Sequence, residues 1–211
     1  MNISKVFSIL DKEVKQYSAP VIDLIEVQTN DPFKVLVGTI LSARTKDEVT
    51  SQAAEKLFKK IKKVSDFNKF TQKQIEELIY PVGFYITKAK HLKELPKHLK
   101  NKIPDTIEEL VKLPGVGRKT ANLVMSVAHK KNGICVDTHV HKIMNRLGYV
   151  KTKNPYETEK VLREILPLKH WRETNFLLVA FGQNLCRPTS PHCSKCPIIK
   201  HCKRIGVKIS R

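Results

Sequence analysis

The sequence predicts an all-α fold on three observations. Nearly every periodic segment repeats its apolar residues at helical spacing, no segment offers a convincing run of alternating β-branched residues, and capping residues mark helix starts that agree with the periodicity. The opening stretch MNISKVFSILDKEVKQYS alternates apolar and charged residues as an amphipathic helix does. Asp31-Pro32 introduces residues 33–41, which are apolar on almost every side and so are expected to form a helix buried at the centre of its lobe. Thr45 with Glu48, Thr71 with Gln74, and Asn154-Pro155 with Glu157 read as capping boxes or variants of them. Pro96 is expected to break the run from 87 to 100, and Pro104-Asp105-Thr106 to open a short helix over 107–112. LPGVG at 113–117 ends that helix, and a second follows over about 118–129. A loop at 130–135 is the candidate domain crossing, and a further helix runs from near Asp137 to Gly148.

At 211 residues and 24.2 kDa the chain can bury one sizeable core or two smaller ones. With 39 Lys+Arg against 20 Asp+Glu the net charge is +19, far beyond what solubility requires. Such a surface seeks polyanions, and nucleic acid leads because the basic residues are spread through amphipathic helices rather than gathered in one tail. No stretch approaches the roughly 20 apolar residues of a membrane span, and the N-terminus lacks a signal peptide's apolar run. The expected location is therefore cytoplasmic, and nucleoid-associated if the source is prokaryotic. Five cysteines in that setting more often bind metal or do redox chemistry than form disulfides.

Three constellations carry chemistry. In helix, LPGVG, helix, Gly115 and Gly117 flank Val116, allowing a sharp turn and close backbone approach. The next helix then presents free N–H groups and its positive dipole end, which together make a phosphate seat. Gly-x-Gly alone is equally an ordinary helix–helix turn. The second is Cys186-x6-Cys193-x2-Cys196-x5-Cys202, in a loop that also holds Pro188, Pro191 and Pro197. Four thiolates that close together can wrap one metal centre. Ligand chemistry leaves zinc and an iron–sulfur cluster both open, since Cys193-x2-Cys196 has zinc-knuckle spacing and His192 or His201 could replace a cysteine. Cys135 stands apart and reads as a small buried apolar side chain. The third is Lys119, in the first turn of its helix beside Arg118, with Asp137 at the start of another helix 18 residues on. Dipole and neighbour both disfavour a charged ammonium at Lys119, which would make it a usable amine nucleophile. The bland readings are a phosphate contact for Lys119 and a helix cap for Asp137.

In this order the three constellations resemble the endonuclease III family of the helix-hairpin-helix glycosylase superfamily. LPGVGRKTAN at 113–122, VDTH at 136–139 and C-x6-C-x2-C-x5-C at 186–202 agree with it, and DPFKVLVGTILSA and PVGFYITKA extend a weaker similarity over nearly the whole chain. The resemblance implies two helical lobes with a DNA-binding cleft between them. One would be a helical barrel over 20–133 containing the helix-hairpin-helix at about 106–129, the other a cluster domain of 1–19 plus 134–211 with its cluster loop at 186–202. It also implies a [4Fe–4S] cluster on Cys186, Cys193, Cys196 and Cys202, catalysis by Lys119 and Asp137, and DNA contacts from Gly115, Val116, Gly117 and Arg118. By position Arg44 and Phe84 match the side chains such enzymes insert into the duplex. The bacterial pattern has glutamine and leucine there, which bears on preference for the opposite base.

The activity so implied is that of a bifunctional DNA glycosylase and AP lyase of base excision repair. The expected partner is double-stranded DNA with a damaged base, chiefly an oxidised pyrimidine, or an abasic site, bound by a monomer without a membrane. Lys119 weighs against the monofunctional mismatch and adenine glycosylases, which usually carry another residue there. A non-enzymatic DNA-binding module would not need Lys119 and Asp137, and an iron–sulfur electron carrier would not need LPGVG or a charge of +19.

Overall fold

The computed structural model describes residues 1–99 and 102–211, and among these it is built of helices and turns with no strand. By its internal contacts the chain divides into two compact units, Val21–Lys131 and a discontinuous one made of Met1–Pro20 and Asn132–Arg211.

The continuous unit contains α2 (Val21–Thr29), α3 (Pro32–Ser42), α4 (Asp47–Lys60), α5 (Gln72–Ile79), α6 (Tyr85–His98), α7 (Ile107–Leu110) and α8 (Arg118–Val127). Asp31 caps α3 by accepting from the Phe33 N–H at 2.9 Å, with Pro32 in the first turn where no intrahelical donor is lost. Val35, Leu36, Val37, Ile40 and Leu41 are all buried, and α3 packs against α2, α4, α6 and α8. A helix apolar all round thus finds neighbours on every side, as its sequence demands. Thr71 and Gln74 form a reciprocal capping box at α5.

Two sequence expectations fail here. Thr45 does not cap α4, whose first flanking residue is Lys46 without a side-chain cap, because the Thr45 hydroxyl is engaged by Gly83 and Lys88. Pro96 does not break α6, which continues to His98; Lys100, the last residue of that expected run, lies outside the described residues. The proline falls in the last turn, where little ladder remains to lose. Leu92, Leu95 and the flanking Leu99 meanwhile keep one apolar face in the core.

The discontinuous unit holds α1 (Ile3–Val14), α9 (Thr138–Leu147), α10 (Pro155–Ile165) and α11 (Trp171–Asn184), followed by 3-10 turns at Cys193–Lys195 and Ile199–His201. The buried face of α1, Val6, Phe7 and Leu10, packs on α11, which also packs on α9. The Ser4 hydroxyl lies 2.8 Å from His170 Nε2, and the His170 ring stacks 4.5 Å from Phe7, pinning the N-terminal helix in place. Gly148, at φ +74, ends α9 in the left-handed conformation that glycine adopts without penalty. No described helix is long and apolar enough to cross a membrane.

Candidate active site and cysteine loop

Thr106 caps α7 through the Glu109 N–H, and after α7 the chain turns at 113–116, where the Val116 N–H donates to the Leu113 carbonyl at 3.1 Å. Pro114 takes the second position and Gly115 the third at φ +76, the arrangement a type II turn requires. A side chain at Gly115 would also meet His91, whose Nδ1 would lie 2.7 Å from an added Cβ. Val116 is buried and anchors the turn, while Gly117, Arg118 and Lys119 are exposed. Gly117 has an ordinary extended backbone, φ −89 and ψ 176, and an added Cβ would meet nothing within 4 Å. The residue that precedes α8 is Gly117, which has no side chain with which to cap it, and a helix start of this kind can offer backbone N–H groups to an anion. Lys119 is the second residue of that helix.

Asp137 caps α9, its Oδ1 accepting from the His139 and Val140 N–H groups, both at 2.9 Å. Oδ2 has no hydrogen-bond partner among the described residues of this unit. The cap thus engages one carboxylate oxygen, Oδ1, and fixes the position of the group, which is half-buried. Lys119 and Asp137 belong to different units, each seated by its own helix start.

Arg44 and Phe84 are both exposed and both left-handed, at φ 55 and 59. Arg44 occupies the third position of the turn at 42–45, closed by Thr45 N–H to the Ser42 carbonyl at 3.0 Å. Phe84 takes the same place in the turn at 82–85, closed by Tyr85 N–H to the Val82 carbonyl at 3.1 Å. The Arg44 guanidinium carbon lies 4.9 Å from the centre of the Phe84 ring, within cation–π range.

Cys186, Cys193, Cys196 and Cys202 line one pocket with Ile143, Leu147, Phe181 and Ile198. Among the described residues no three His, Cys, Asp or Glu side chains are grouped to hold a single metal ion. The donor set nevertheless suits a larger thiolate-bound group. It is all sulfur in apolar surroundings, and N–H groups address the sulfurs: Arg146 Nη1 lies 3.3 Å from Cys186 Sγ and the Arg204 N–H 3.4 Å from Cys202 Sγ. Burial pushes the free Cys196 thiol up to about 11, and raises Cys186 and Cys202 too, so cationic metal would have to draw these protons off. Arg187, Lys195, Lys200, Lys203 and Arg204 project around this loop, all exposed. Cys135 is buried elsewhere in the same unit.

Sequence reasoning missed Lys88, Arg146 and Gly182. Arg146, buried at the end of α9, also donates to the carbonyls of Cys186 (3.2 Å), Arg187 (2.9 Å) and Pro188 (2.7 Å), holding the entry to the cysteine loop. Gly182 lets α11 approach the first turn of α9, where a Cβ would collide with the His139 ring. Lys88 is taken up below. Only Lys88 left a sequence signal: it falls in helical register with Leu92, Leu95 and Leu99, on a stripe otherwise apolar.

Residues 37–168 match the HhH-GPD superfamily of base excision DNA repair proteins. Endonuclease III of Thermotoga maritima is 45% identical over 82% of this chain and 83% of its own length. Endonuclease III of Bacillus subtilis is 34% identical over 96% and 94%. A solved non-covalent endonuclease III–DNA complex superposes with a TM-score of 0.84 at 31% identity, covering 97% of this chain and 96% of that one. A trapped endonuclease III–DNA covalent intermediate with an estranged adenine gives a TM-score of 0.80 at 30% identity, covering 97% of both. Sequence, fold and hairpin agree over nearly the full length, and the chain belongs to the endonuclease III family of the HhH-GPD superfamily of base excision DNA repair proteins.

Proposed function

We propose that the protein is a bifunctional DNA glycosylase and AP lyase of base excision repair, acting as a monomer on duplex DNA, with Lys119 as nucleophile and Asp137 as its assistant. The observation that carries this reading is an exposed lysine in the first turn of α8, directly after a hairpin turn and a glycine at the helix start. The hairpin N–H groups would hold a phosphate of the damaged strand while the lesion is turned out of the stack. Lys119 Nζ then attacks the sugar C1′. A carbon–nitrogen bond forms as the bond from C1′ to the base breaks, and the departing base takes a proton. Asp137 Oδ2 offsets positive charge developing at the sugar and accepts the proton that the amine must shed. Collapse to an imine opens the sugar; loss of a C2′ proton then expels the 3′ phosphate and cuts the strand. Oxidised pyrimidines are the lesions the family resemblance favours.

Cys186, Cys193, Cys196 and Cys202 would hold a [4Fe–4S] cluster, which when bound supplies folding energy to the basic loop. Purified protein should be yellow-brown with about four iron per chain and little zinc. One zinc and no iron in anaerobically prepared protein would replace this assignment with a zinc site. Binding to undamaged duplex should weaken steeply with salt, with a log–log slope of roughly −4 to −7 if five to eight phosphates are neutralised.

The decisive experiment traps the imine. Borohydride added during turnover should join protein to DNA, and Lys119→Gln should abolish the adduct while duplex binding survives on the hairpin backbone. Asp137→Asn keeps the cap but not the charge, so turnover should fall by roughly two to four orders of magnitude with binding retained. Undiminished trapping by Lys119→Gln would assign the nucleophile to another amine.

A further inference from the structure

Lys88, in the first turn of α6, is 6% exposed, and lysine is almost never that buried unless paired. Its partners are three oxygens on the far side of a turn: the Leu41 carbonyl at 2.7 Å, the Ala43 carbonyl at 2.5 Å and the Thr45 hydroxyl at 3.2 Å. All three ammonium donors are thus engaged. The carbonyls belong to the C-terminal end of α3, where a cation meets the negative end of the helix dipole. Thr45 extends the link, since its oxygen also accepts from the Gly83 N–H at 3.2 Å. The two turns touch backbone to backbone here, for a Cβ on Gly83 would lie 2.5 Å from the Arg44 carbonyl oxygen.

This is a costly way to fill a helix stripe. Burial pushes the Lys88 ammonium down to about 8, and a leucine or methionine would pack there with no charge to desolvate. What the lysine does that they cannot is grip residues 41, 43 and 45, on either side of Arg44. Left-handed backbone is unfavourable for an L-residue and persists where its surroundings over-determine it. Arg44 and Phe84 both carry that cost, in the two turns that Lys88 and Thr45 join.

We infer that Lys88 is a positioning residue for base extrusion, holding the turns at 42–45 and 82–85 together so that Arg44 and Phe84 are presented as one preformed wedge. This rests on the reading of Arg44 and Phe84 as the inserted side chains. Without the grip the turns relax, and the ordering of the wedge must be supplied during attack on the duplex.

The test is a double-mutant cycle read by single-turnover excision from a paired lesion, with cleavage of a preformed abasic site as reference. Lys88→Met should slow excision about tenfold and change abasic-site cleavage less than about threefold. 2-Aminopurine opposite the lesion should brighten more slowly when the protein is added. Added to Arg44→Ala/Phe84→Ala, Lys88→Met should cost nothing further, since it acts through those two side chains. Thr45→Val, which removes only the shared oxygen, should reproduce the pattern at smaller size and serves if Lys88→Met folds poorly. Equal slowing of both substrates, or the same cost with and without Arg44 and Phe84, would reduce Lys88 to a stability role. No loss on the paired lesion from Arg44→Ala/Phe84→Ala would instead remove the wedge reading itself, and the inference with it.

Discussion

The turn at 113–116 and the turns at 42–45 and 82–85 each place a left-handed residue third, yet they fill that place differently. At the hairpin it is Gly115, the residue that takes positive φ without cost, and a side chain there would also strike His91. At the other two turns it is Arg44 and Phe84, exposed and stacked on one another. In the proposed function the hairpin brings backbone N–H groups to a phosphate, a task for which any side chain is an obstruction. In the same proposal the other turns deliver side chains, and the left-handed backbone would be the means of aiming them. On that proposal, strain at 44 and 84 and its absence at 115 match what each turn would present to DNA.

Relaxing the strained turns should produce the largest change. Arg44→Gly and Phe84→Gly keep the backbone geometry while removing the presented group, so excision from paired lesions should fall about ten- to a hundredfold. Thermal stability should stay within about 1 kcal/mol of the parent, because relief of strain offsets the lost ring contact and added chain entropy. A large drop in melting temperature would mean these side chains hold the fold. Gly115→Ala should show the opposite balance: about 1–3 kcal/mol of stability lost, or several degrees of melting temperature, from the left-handed backbone and the His91 contact. An unchanged melting curve would show that the hairpin turn tolerates what the physics forbids.

Gly117→Ala should have the smallest effect on the free protein. Its backbone is extended and its Cβ would enter open space, so stability should change by less than about 0.5 kcal/mol. Duplex affinity should nevertheless fall severalfold, if the open space is where a phosphate comes closest. Unaltered affinity in a filter-binding or anisotropy titration would move the phosphate contact away from this residue.

What could be read from the chain was local. Asp31, Thr71, Asn154 and Asp137 cap helices through partners two or three residues away, and the apolar stripes of α1 and α3 declare their burial directly. Thr45 shows the limit: Thr-x-x-Glu is the right pattern for a cap, but a donor 38 residues away takes the hydroxyl and α4 starts without it. Lys88 and Arg146 escaped for the same reason, their partners lying 43 to 47 and 40 to 42 residues distant. A basic side chain in a strongly basic protein reads as surface until its acceptors are known. Motifs such as LPGVG and VDTH located Lys119 and Asp137 because each sets its residue at a helix start, where position follows from a few neighbours.

The pinning of α1 has a consequence for how the chain is made. Ser4 meets His170 across 166 residues, and the apolar face of α1 is covered by α11. At a synthesis rate of roughly 5–20 residues per second, α1 leaves the ribosome about ten to thirty seconds before its partner exists. Val21–Lys131, continuous in the chain, can complete its own core during that interval. The nascent chain therefore carries Val6, Phe7 and Leu10 uncovered until α11 has been made and can close over them.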